Sequence, residues 1–386
     1  MLLYRASKGE AVFSMQFRDL KQQYQVLRED MDRAILDAVA SGAYIMGPQV
    51  RELEAQLSEY VGVKHCLTCA NGTDALTLGL KAWGIGPGDA VFVPDFTFFS
   101  SAEVVSLEGA TPVFVDVCEE TFNLDAADLE RAIQRVLSDG QLKPRVIVAV
   151  DLFGLPADYK AIRSIADKYG LLILEDGAQG FGGTIDGKRA CSFGDIATTS
   201  FFPAKPVGCY GDGGAVFTDN DEWAALIESY RVHGKGQFKY DNVRIGMNSR
   251  LDTVQAAVLQ VKLKAFAEYE LDDINVAADR YTERLKDILA TPVIPDGFRS
   301  SWAQYTLRLK DKDQRDALQA ALKAEGIPSM VYYPKPMHLQ TAFAGLTGNL
   351  CPTATSLCDR VLSLPMHPYL TTEQIDMVCD AIRKNL

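Results

Sequence analysis

The sequence contains no long apolar run and no dense cluster of basic residues. No segment reaches the length of a membrane span, and the first residues lack the basic-then-apolar pattern of a signal peptide. The 39 lysines and arginines are outnumbered by 51 aspartates and glutamates, which gives a net charge of −12. Because nucleic acids and anionic membranes attract basic surfaces, we predict a soluble protein that binds neither nucleic acid nor membrane.

A paired cysteine framework is also missing, because the eight cysteines are scattered along 386 residues. Cys66 and Cys69 have the spacing of half a zinc site, but no second Cys/His pair with ligand spacing follows. We interpret both as buried strand residues and predict no metal site. Scattered, unpaired thiols in a chain of this length are typical of the cytoplasm, which is the predicted location.

Two nucleotide-binding signatures are absent as well. The sequence has no G-x-x-x-x-G-K-[ST] segment and no G-x-G-x-x-G segment after a first strand. These absences remove support for a nucleoside triphosphate or a dinucleotide as the ligand. Any other anionic ligand must be held by local donors.

Strands and helices alternate along the first part of the chain. Short apolar segments such as "AVFVPDF" and "LLILEDGA" are separated by segments with helical periodicity. Continuous apolar strands that alternate with helices are typical of a mainly parallel sheet covered on both faces. We therefore predict an α/β fold with a large, mainly parallel sheet.

The length of the chain favours two domains. We predict an N-terminal extension over residues 1–14, then N-terminal helices and a large domain over residues 15–265. A smaller α+β domain is predicted over residues 266–386, with the boundary inside a long helical segment. The first helix is predicted to begin near Met15.

Polar residues follow the predicted strands, where ligands collect in open α/β sheets. Gly72 and Thr73 lie between a strand and a helix, so the free N–H groups of the helix start could bind a phosphate. An ordinary helix N-cap formed by Thr73 and Asp74 explains this segment equally well. Asp176 closes a fully apolar strand, where an unpaired carboxylate is costly to bury, so it needs a cationic partner unless it caps the next turn.

Lys205 lies in the apolar segment "SFFPAKPVG". An apolar setting penalises the charged ammonium and lowers its pKa, as a nucleophilic lysine requires. The alternative is a solvated surface lysine. Gln179 could donate to a ligand oxygen near Asp176, and a phenylalanine at the strand end in "VFVPDFTFFSS" could stack on a flat ring. An amine, an acid, a stacking ring and a phosphate nest together match what pyridoxal phosphate requires.

Five segments carry a resemblance to a known family: "NGTDAL", "PDFTFFSSAE", "EDGAQGFGG", "SFGDIATTSFFPAKPVGCYGDGGAVFTDND" and "RIGMNSRLDTVQAAVL". From about Met15 to its end, the chain resembles the DegT/DnrJ/EryC1/StrS sugar aminotransferases. The resemblance implies a pyridoxal 5'-phosphate enzyme with the aspartate aminotransferase fold, which is fold type I. It also implies a homodimer with shared active sites.

Residue roles follow from the same resemblance. Lys205 would bind the cofactor covalently and Asp176 would pair with its pyridine nitrogen. Gln179 would contact the ring hydroxyl, and Phe98 would stack on the ring. The implied phosphate-binding residues are Gly72, Thr73, Ser200 and, from the second subunit, Asn248.

The resemblance further implies a nucleotide-sugar substrate and glutamate as amino donor. The segments around Lys205, Arg250 and Tyr333 look closest to enzymes that aminate C3 of UDP-2-acetamido-2-deoxy-3-oxo-glucuronate for bacterial surface polysaccharide. Arg250 would pair with the sugar carboxylate, and Tyr333 and His338 would contact the nucleotide-sugar. Arg250 could instead cap a helix, and His338 could be a packed or surface residue. The alternative functions are amination at C4 or of a dTDP-sugar, a non-catalytic regulator with the same fold, and a small-molecule binding protein without a cofactor.

Overall fold

The computed structural model describes residues 15–238, 240–346 and 350–386. The predicted extension over residues 1–14 lies outside the described residues. Within the described part of the chain, every helix is too short or too polar to cross a lipid bilayer.

A seven-stranded sheet forms the centre of the protein. Its strands, in the order in which they lie side by side, are β1 (His65–Cys69), β9 (Gly214–Thr218), β8 (Ile196–Ser200), β5 (Leu172–Asp176), β4 (Lys143–Val150), β2 (Asp89–Pro94) and β3 (Thr111–Val115). Only β9 runs antiparallel to its two neighbours, and the other pairs are parallel. The predicted α/β fold with a mainly parallel sheet is confirmed.

The apolar strands are continuous because both faces of the sheet are buried. Along β4, Val146 and Val148 face one core while Ile147 and Ala149 face another. Successive side chains of a strand point to opposite faces, so a strand covered on both sides needs an apolar residue at every position. Burial of each valine or isoleucine side chain is worth roughly 1.5–3 kcal/mol, which stabilises the packing of the sheet against the helices on both faces.

Helices cover both faces and follow the predicted order. They are α1 (Leu20–Ser41), α2 (Pro48–Val61), α3 (Gly72–Ala82), α4 (Ser100–Leu107), α5 (Ala126–Asp139), α6 (Tyr159–Tyr169), α7 (Asp221–Tyr230), α8 (Thr253–Ala265), α9 (Leu271–Leu285), α10 (Lys312–Ala324), α11 (Pro352–Arg360) and α12 (Thr372–Lys384). A π-helical turn, Phe266–Glu270, separates α8 from α9.

Helix α1 begins at Leu20, five residues after the predicted start near Met15. The side chain of Asp19 accepts a hydrogen bond from Gln22 N and caps the helix. The residues before the cap pack against the C-terminal part of the chain instead of continuing the helix. Met15 is buried in the core of that part, and the Phe17 carbonyl accepts a hydrogen bond from Met366 N.

Two small sheets complete the fold. The first contains β6 (Thr184–Ile185), β7 (Lys188–Arg189) and β10 (Phe298–Arg299), and the second pairs β11 (Tyr305–Arg308) with β12 (Val361–Leu364). The segment "PSMVYY" contributes only a bridge between Met330 and Ser363. Helices α9, α10 and α12 share a core with β11 and β12, while α11 packs on the core of the large sheet. The domain boundary near residue 265 stays a prediction.

Candidate active site

The predicted cofactor residues follow four strands that end at one edge of the central sheet. Strands β2, β5 and β8 point the same way through parallel pairing, with β4 between β2 and β5. Strand β1 shares this direction because β1 and β8 both run antiparallel to β9. The fold therefore places the residues after these strands along a common edge, where α/β proteins bind ligands.

Asp176 is buried at the last position of β5. Its Oδ2 accepts a hydrogen bond from Ser101 Oγ at 2.7 Å, and its Oδ1 accepts from Ala178 N at 3.2 Å. Burial raises the pKa of Asp176, whereas the Ser101 hydrogen bond and the charge of Lys205 oppose that rise. Both donors are neutral, so the carboxylate could accept a cationic partner.

Lys205 lies in the loop that joins β8 to β9. Its backbone N donates to Phe202 O at 2.8 Å, and Cys209 N donates to Phe201 O at 2.8 Å, which folds the loop back on itself. Its side chain is half-buried. Burial lowers the pKa of the amine, while the charge of Asp176 raises it and that of Arg18 lowers it. A lowered pKa caused by burial is the direction expected from the apolar segment around Lys205.

The start of α3 lies against the end of β8. A Cβ at Gly72 would approach Ser200 Cβ to 2.7 Å, so only glycine permits this contact. Thr73 Oγ1 lies 2.8 Å from Ser100 Oγ at the start of α4. The helix is capped by Asn71, whose side chain accepts from Asp74 N at 2.8 Å, and not by Thr73 and Asp74 as the capping alternative had it. Backbone N–H groups and three hydroxyls thus meet at one helix N-terminus, a suitable setting for a phosphate.

An aromatic group lies beside Asp176. The Phe98 ring is 6.3 Å from the Tyr333 ring, and Phe98 is 53% exposed, which leaves a ring face accessible. Gln179 Nε2 donates to Tyr333 Oη at 2.9 Å, and its Oε1 accepts from Phe153 N at 2.8 Å. Gln179 is therefore engaged by protein groups, and Tyr333 Oη presents the hydroxyl next to it.

The imidazole of His338 contacts a buried carboxylate. Its Nδ1 lies 2.6 Å from Asp95 Oδ2, and its backbone N donates to Asp95 Oδ1 at 2.8 Å. Cys351 is buried nearby, and the three potential ligand atoms lie within 4.8 Å of one another. Both oxygens of Asp95 are already engaged by His338, and burial raises the pKa of the Cys351 thiol. The Nδ1 edge of His338 is thus not available to a substrate.

Asn248 and Arg250 contact each other rather than the other candidate residues. Arg250 Nη2 donates to Asn248 Oδ1 at 2.6 Å, and Asn248 is exposed. Between them, Ser249 Oγ accepts from Ala70 N at 3.1 Å and fixes the segment beside the end of β1. The contribution of Asn248 to a second subunit's site stays a prediction.

Two carboxyl groups lie directly behind Asp176. Glu175 is fully buried and accepts from the backbone N atoms of Cys191, Phe193 and Gly194. Asp151, also fully buried, accepts on Oδ1 from Ala157 N at 3.0 Å and Tyr159 Oη at 2.8 Å. Burial raises the pKa of Glu175 to about 6 and that of Asp151 well above its usual value.

Three contacts at the site were not predicted. Ser101 binds Asp176, Asp95 binds His338, and Arg18 Nη2 donates to the carbonyl oxygen of Lys205 at 2.9 Å. The serine lies inside the motif "PDFTFFSSAE", in the first turn of α4, and its hydroxyl within that motif was the available signal. No local pattern marks Arg18, since it is 187 positions from Lys205.

Pyridoxal phosphate fits this arrangement. A protonated pyridine nitrogen would supply the positive partner that the Ser101 and Ala178 donors do not give Asp176. The nest formed by Gly72, Thr73 and Ser200 would hold the phosphate, and the half-buried amine of Lys205 is available for the aldehyde.

Comparisons with known proteins give the same result. Residues 25–383 match the model of the DegT/DnrJ/EryC1/StrS aminotransferase family. The chain is 45% identical over 369 residues to a UDP-2-acetamido-2-deoxy-3-oxo-D-glucuronate aminotransferase of Pseudomonas aeruginosa, covering 95% of this chain and 99% of that one. It is 42% identical over 369 residues to a UDP-N-acetyl-3-dehydro-alpha-D-glucosamine 3-aminotransferase of Acidithiobacillus ferrooxidans, covering 95% and 97%.

Solved structures of similar proteins indicate the same family as the sequence comparisons. A DegT DnrJ EryC1 StrS aminotransferase from Brucella abortus superposes with a TM-score of 0.93 at 50% identity, over 96% of this chain and 99% of that one. Other similar structures were solved as PLP or PMP forms. The chain therefore belongs to the DegT/DnrJ/EryC1/StrS aminotransferase family, and it is a pyridoxal-phosphate-dependent aminotransferase with fold type I.

Proposed function

We propose that this enzyme transfers an amino group from glutamate to the 3-keto carbon of UDP-2-acetamido-2-deoxy-3-oxo-glucuronate. The similarity to the Pseudomonas aeruginosa enzyme, which extends over nearly the whole of both chains, supports this substrate most directly. The product would enter bacterial surface polysaccharide, and the reaction would take place in the cytoplasm.

Pyridoxal phosphate, when bound, supplies an electron-withdrawing ring that stabilises negative charge on the carbon next to the transferred nitrogen. In the proposed mechanism, Asp176 remains anionic and holds the proton on the pyridine nitrogen. Its hydrogen bond from Ser101 favours that charged form. Lys205 accepts the proton from the donor's α-carbon on Nζ, and in the half-reaction with the sugar its Nζ donates a proton to the carbon that receives the amino group. Both roles require an amine that can be neutral near physiological pH.

A homodimer with shared sites belongs to the same proposal. The segment before Asn248 exposes large apolar side chains: Phe238 is 72% exposed, Val243 is 55% exposed and Ile245 is 91% exposed. Clustered apolar side chains on a surface favour burial against another chain. A second subunit that covers this segment would bring Asn248, and Arg250 beside it, to the neighbouring site.

One observation favours a second substrate. The 42% identical relative acts on a UDP-sugar whose name indicates no carboxylate, so the neutral 3-keto sugar is the competing candidate. The two candidates differ at C6, where the uronate carries a charge that Arg250 could bind in a forked pair.

The decisive experiment measures the reverse reaction with 2-oxoglutarate on a panel of amino sugars. The panel contains the UDP-3-amino-uronate, the neutral UDP-3-amino sugar, a UDP-4-amino sugar and a dTDP-3-amino sugar. We expect the highest kcat/KM for the uronate. Faster turnover of the neutral sugar, of the 4-amino sugar or of the dTDP-sugar would replace our substrate assignment.

An Arg250→Gln variant tests the recognition of the carboxylate. We expect kcat/KM for the uronate to fall about 10–100-fold, because a charge-assisted pair is worth about 1.5–3 kcal/mol. The neutral sugar should be affected much less. Arg131→Gln on α5, whose guanidinium pairs with Asp128, is the matched control. Equal losses for both sugars would assign Arg250 a structural role.

A further inference from the structure

Arg18 links the N-terminal segment to the loop that carries Lys205. Its Nη2 donates to the carbonyl oxygen of Lys205 at 2.9 Å and approaches that of Pro206 at 3.4 Å. The residue stands just before the Asp19 cap of α1, so its backbone is fixed by the start of that helix. A guanidinium thus binds the backbone of the proposed nucleophile from outside its own loop.

Arg18 is half-buried and is attracted electrostatically by a buried carboxylate. The carboxylate of Glu270, in the π-helical turn, attracts its guanidinium and is 3% exposed. Glu270 in turn accepts from Gln23 Nε2 at 3.0 Å and from Tyr369 Oη. These contacts join α1, the π-helical turn and the C-terminal segment around one arginine.

A second buried cation supports the same loop. Lys262 of α8 is 1% exposed, and its Nζ lies 4.6 Å from the centroid of the Tyr210 ring. Burial and, to a smaller extent, the charge of Arg18 lower the pKa of Lys262 to about 8. His367, on the C-terminal segment, has a pKa lowered to about 4 by burial and by Arg18. At neutral pH, His367 is therefore neutral, whereas Arg18 and most of Lys262 carry a positive charge.

Lys205 itself faces two charged groups. Asp176 on β5 favours the ammonium form, and Arg18 on the N-terminal segment disfavours it. The carboxylate that would hold the cofactor raises the pKa of the lysine and so leaves less of the amine in its neutral form at neutral pH. The charge of Arg18, on the N-terminal segment, opposes Asp176 and lowers the pKa of the Lys205 amine.

We propose that Arg18 is a positioning residue for amino transfer: its guanidinium anchors the Lys205 and Pro206 carbonyls and places a fixed positive charge beside the loop that carries the lysine. The inference rests on the proposed role of Lys205. Because small displacements of a reacting group cost about 10²-fold in rate, the anchoring alone matters for turnover.

The test compares Arg18→Gln, Arg18→Lys and the control Arg28→Gln, which changes an exposed arginine of α1. In the full-length protein freed of cofactor, Lys205 is labelled with an amine reagent from neutral to strongly alkaline pH, and the modified peptide is quantified. In the loaded enzyme, kcat and KM for glutamate are measured.

We expect Arg18→Gln to shift the Lys205 labelling curve to higher pH and to lower kcat about tenfold with little change in KM. Arg18→Lys should keep the labelling curve close to wild type, because it keeps the charge. It should still lower kcat, because an ammonium does not reproduce the forked guanidinium. Arg28→Gln should match the wild type.

An unchanged labelling curve in Arg18→Gln, or an unchanged kcat in Arg18→Lys, would overturn the proposal. If Arg18→Gln does not fold, Arg18→Lys decides by its kcat. Borohydride reduction of the loaded wild type separates the two hypotheses: attachment of the cofactor to another lysine contradicts the proposed role of Lys205, whatever the Arg18 variants do.

Discussion

Asp151 and Glu175 place two carboxyl groups together behind the site, and three backbone N–H groups hold Glu175 anionic. Among the described residues no donor reaches Asp151 Oδ2, as expected of a protonated carboxyl that donates to Glu175. Burial raises the pKa values of both groups, so between the unfolded and the folded values the folded protein binds protons that the unfolded chain releases. A pKa raised by folding stabilises the protein at low pH, and this stability is lost as pH rises through the folded value.

We therefore expect the free energy of unfolding to decrease with rising pH above the usual carboxyl range, including the region near the Glu175 pKa of about 6. In Asp151→Asn an amide N–H replaces the carboxyl proton, and its oxygen can still accept from Ala157 and Tyr159. This variant should be more stable than wild type in mildly alkaline buffer, by on the order of 1 kcal/mol, with a flatter pH dependence.

Urea unfolding across pH measures this difference. Asp167→Asn, a change of an exposed carboxylate on α6, is the control and should leave the slope unchanged. A wild-type slope in Asp151→Asn would show that Asp151 is ionised in the folded protein.

At the scale of elements, the start of α3 is built around the close approach of Gly72 to Ser200. Alanine favours a helix over glycine by about 0.5–1 kcal/mol, but a Cβ 2.7 Å from Ser200 Cβ causes overpacking worth about 1–3 kcal/mol. The steric term is larger. We expect Gly72→Ala to lower both the melting temperature and the affinity for pyridoxal phosphate, measured by thermal unfolding and by titration of the cofactor.

Two further variants check the cause of that loss. Gly86→Ala, where the nearest atom lies 3.7 Å from the added Cβ, should leave both quantities near wild type. Removing the opposing Cβ in Gly72→Ala/Ser200→Gly should recover part of the melting temperature, since a contact of 3.3 Å to the Ser200 Cα remains. No recovery in the double variant would contradict a steric origin.

At the scale of the whole molecule, the proposed sharing of sites between subunits can be tested by mixing two inactive variants. Lys205→Ala removes the amine of one site, and Asn248→Ala removes the residue expected to reach the partner's site. If Asn248 acts across the dimer, each mixed dimer has one intact site. After unfolding and refolding an equal mixture, activity should return to about a quarter of wild type.

If Asn248 acts within its own chain, every site of the mixed dimer lacks one residue and no activity returns. Each variant refolded alone is the control. Size-exclusion chromatography of the refolded mixture establishes that dimers have formed, so that a negative result contradicts site sharing rather than assembly.

The sequence by itself determined the elements and the chemistry of the strand ends. Apolar strands alternating with periodic helices required a sheet covered on both faces, and the protein contains that sheet. Asp176 and Lys205 were predicted because a buried carboxylate and an ammonium in an apolar segment are costly without a function. These signals are local, since they depend on neighbouring residues along the chain.

Tertiary structure alone decided which distant residues support the site. Ser101 is 75 positions from Asp176, His338 is 243 positions from Asp95, and Arg18 is 187 positions from Lys205. Which residue each of these groups contacts has no periodic or motif signal, because the pairing depends on how the elements pack. The sequence therefore predicted an amine that must be available neutral, and only the packing of the N-terminal segment against the Lys205 loop revealed the arginine that holds it.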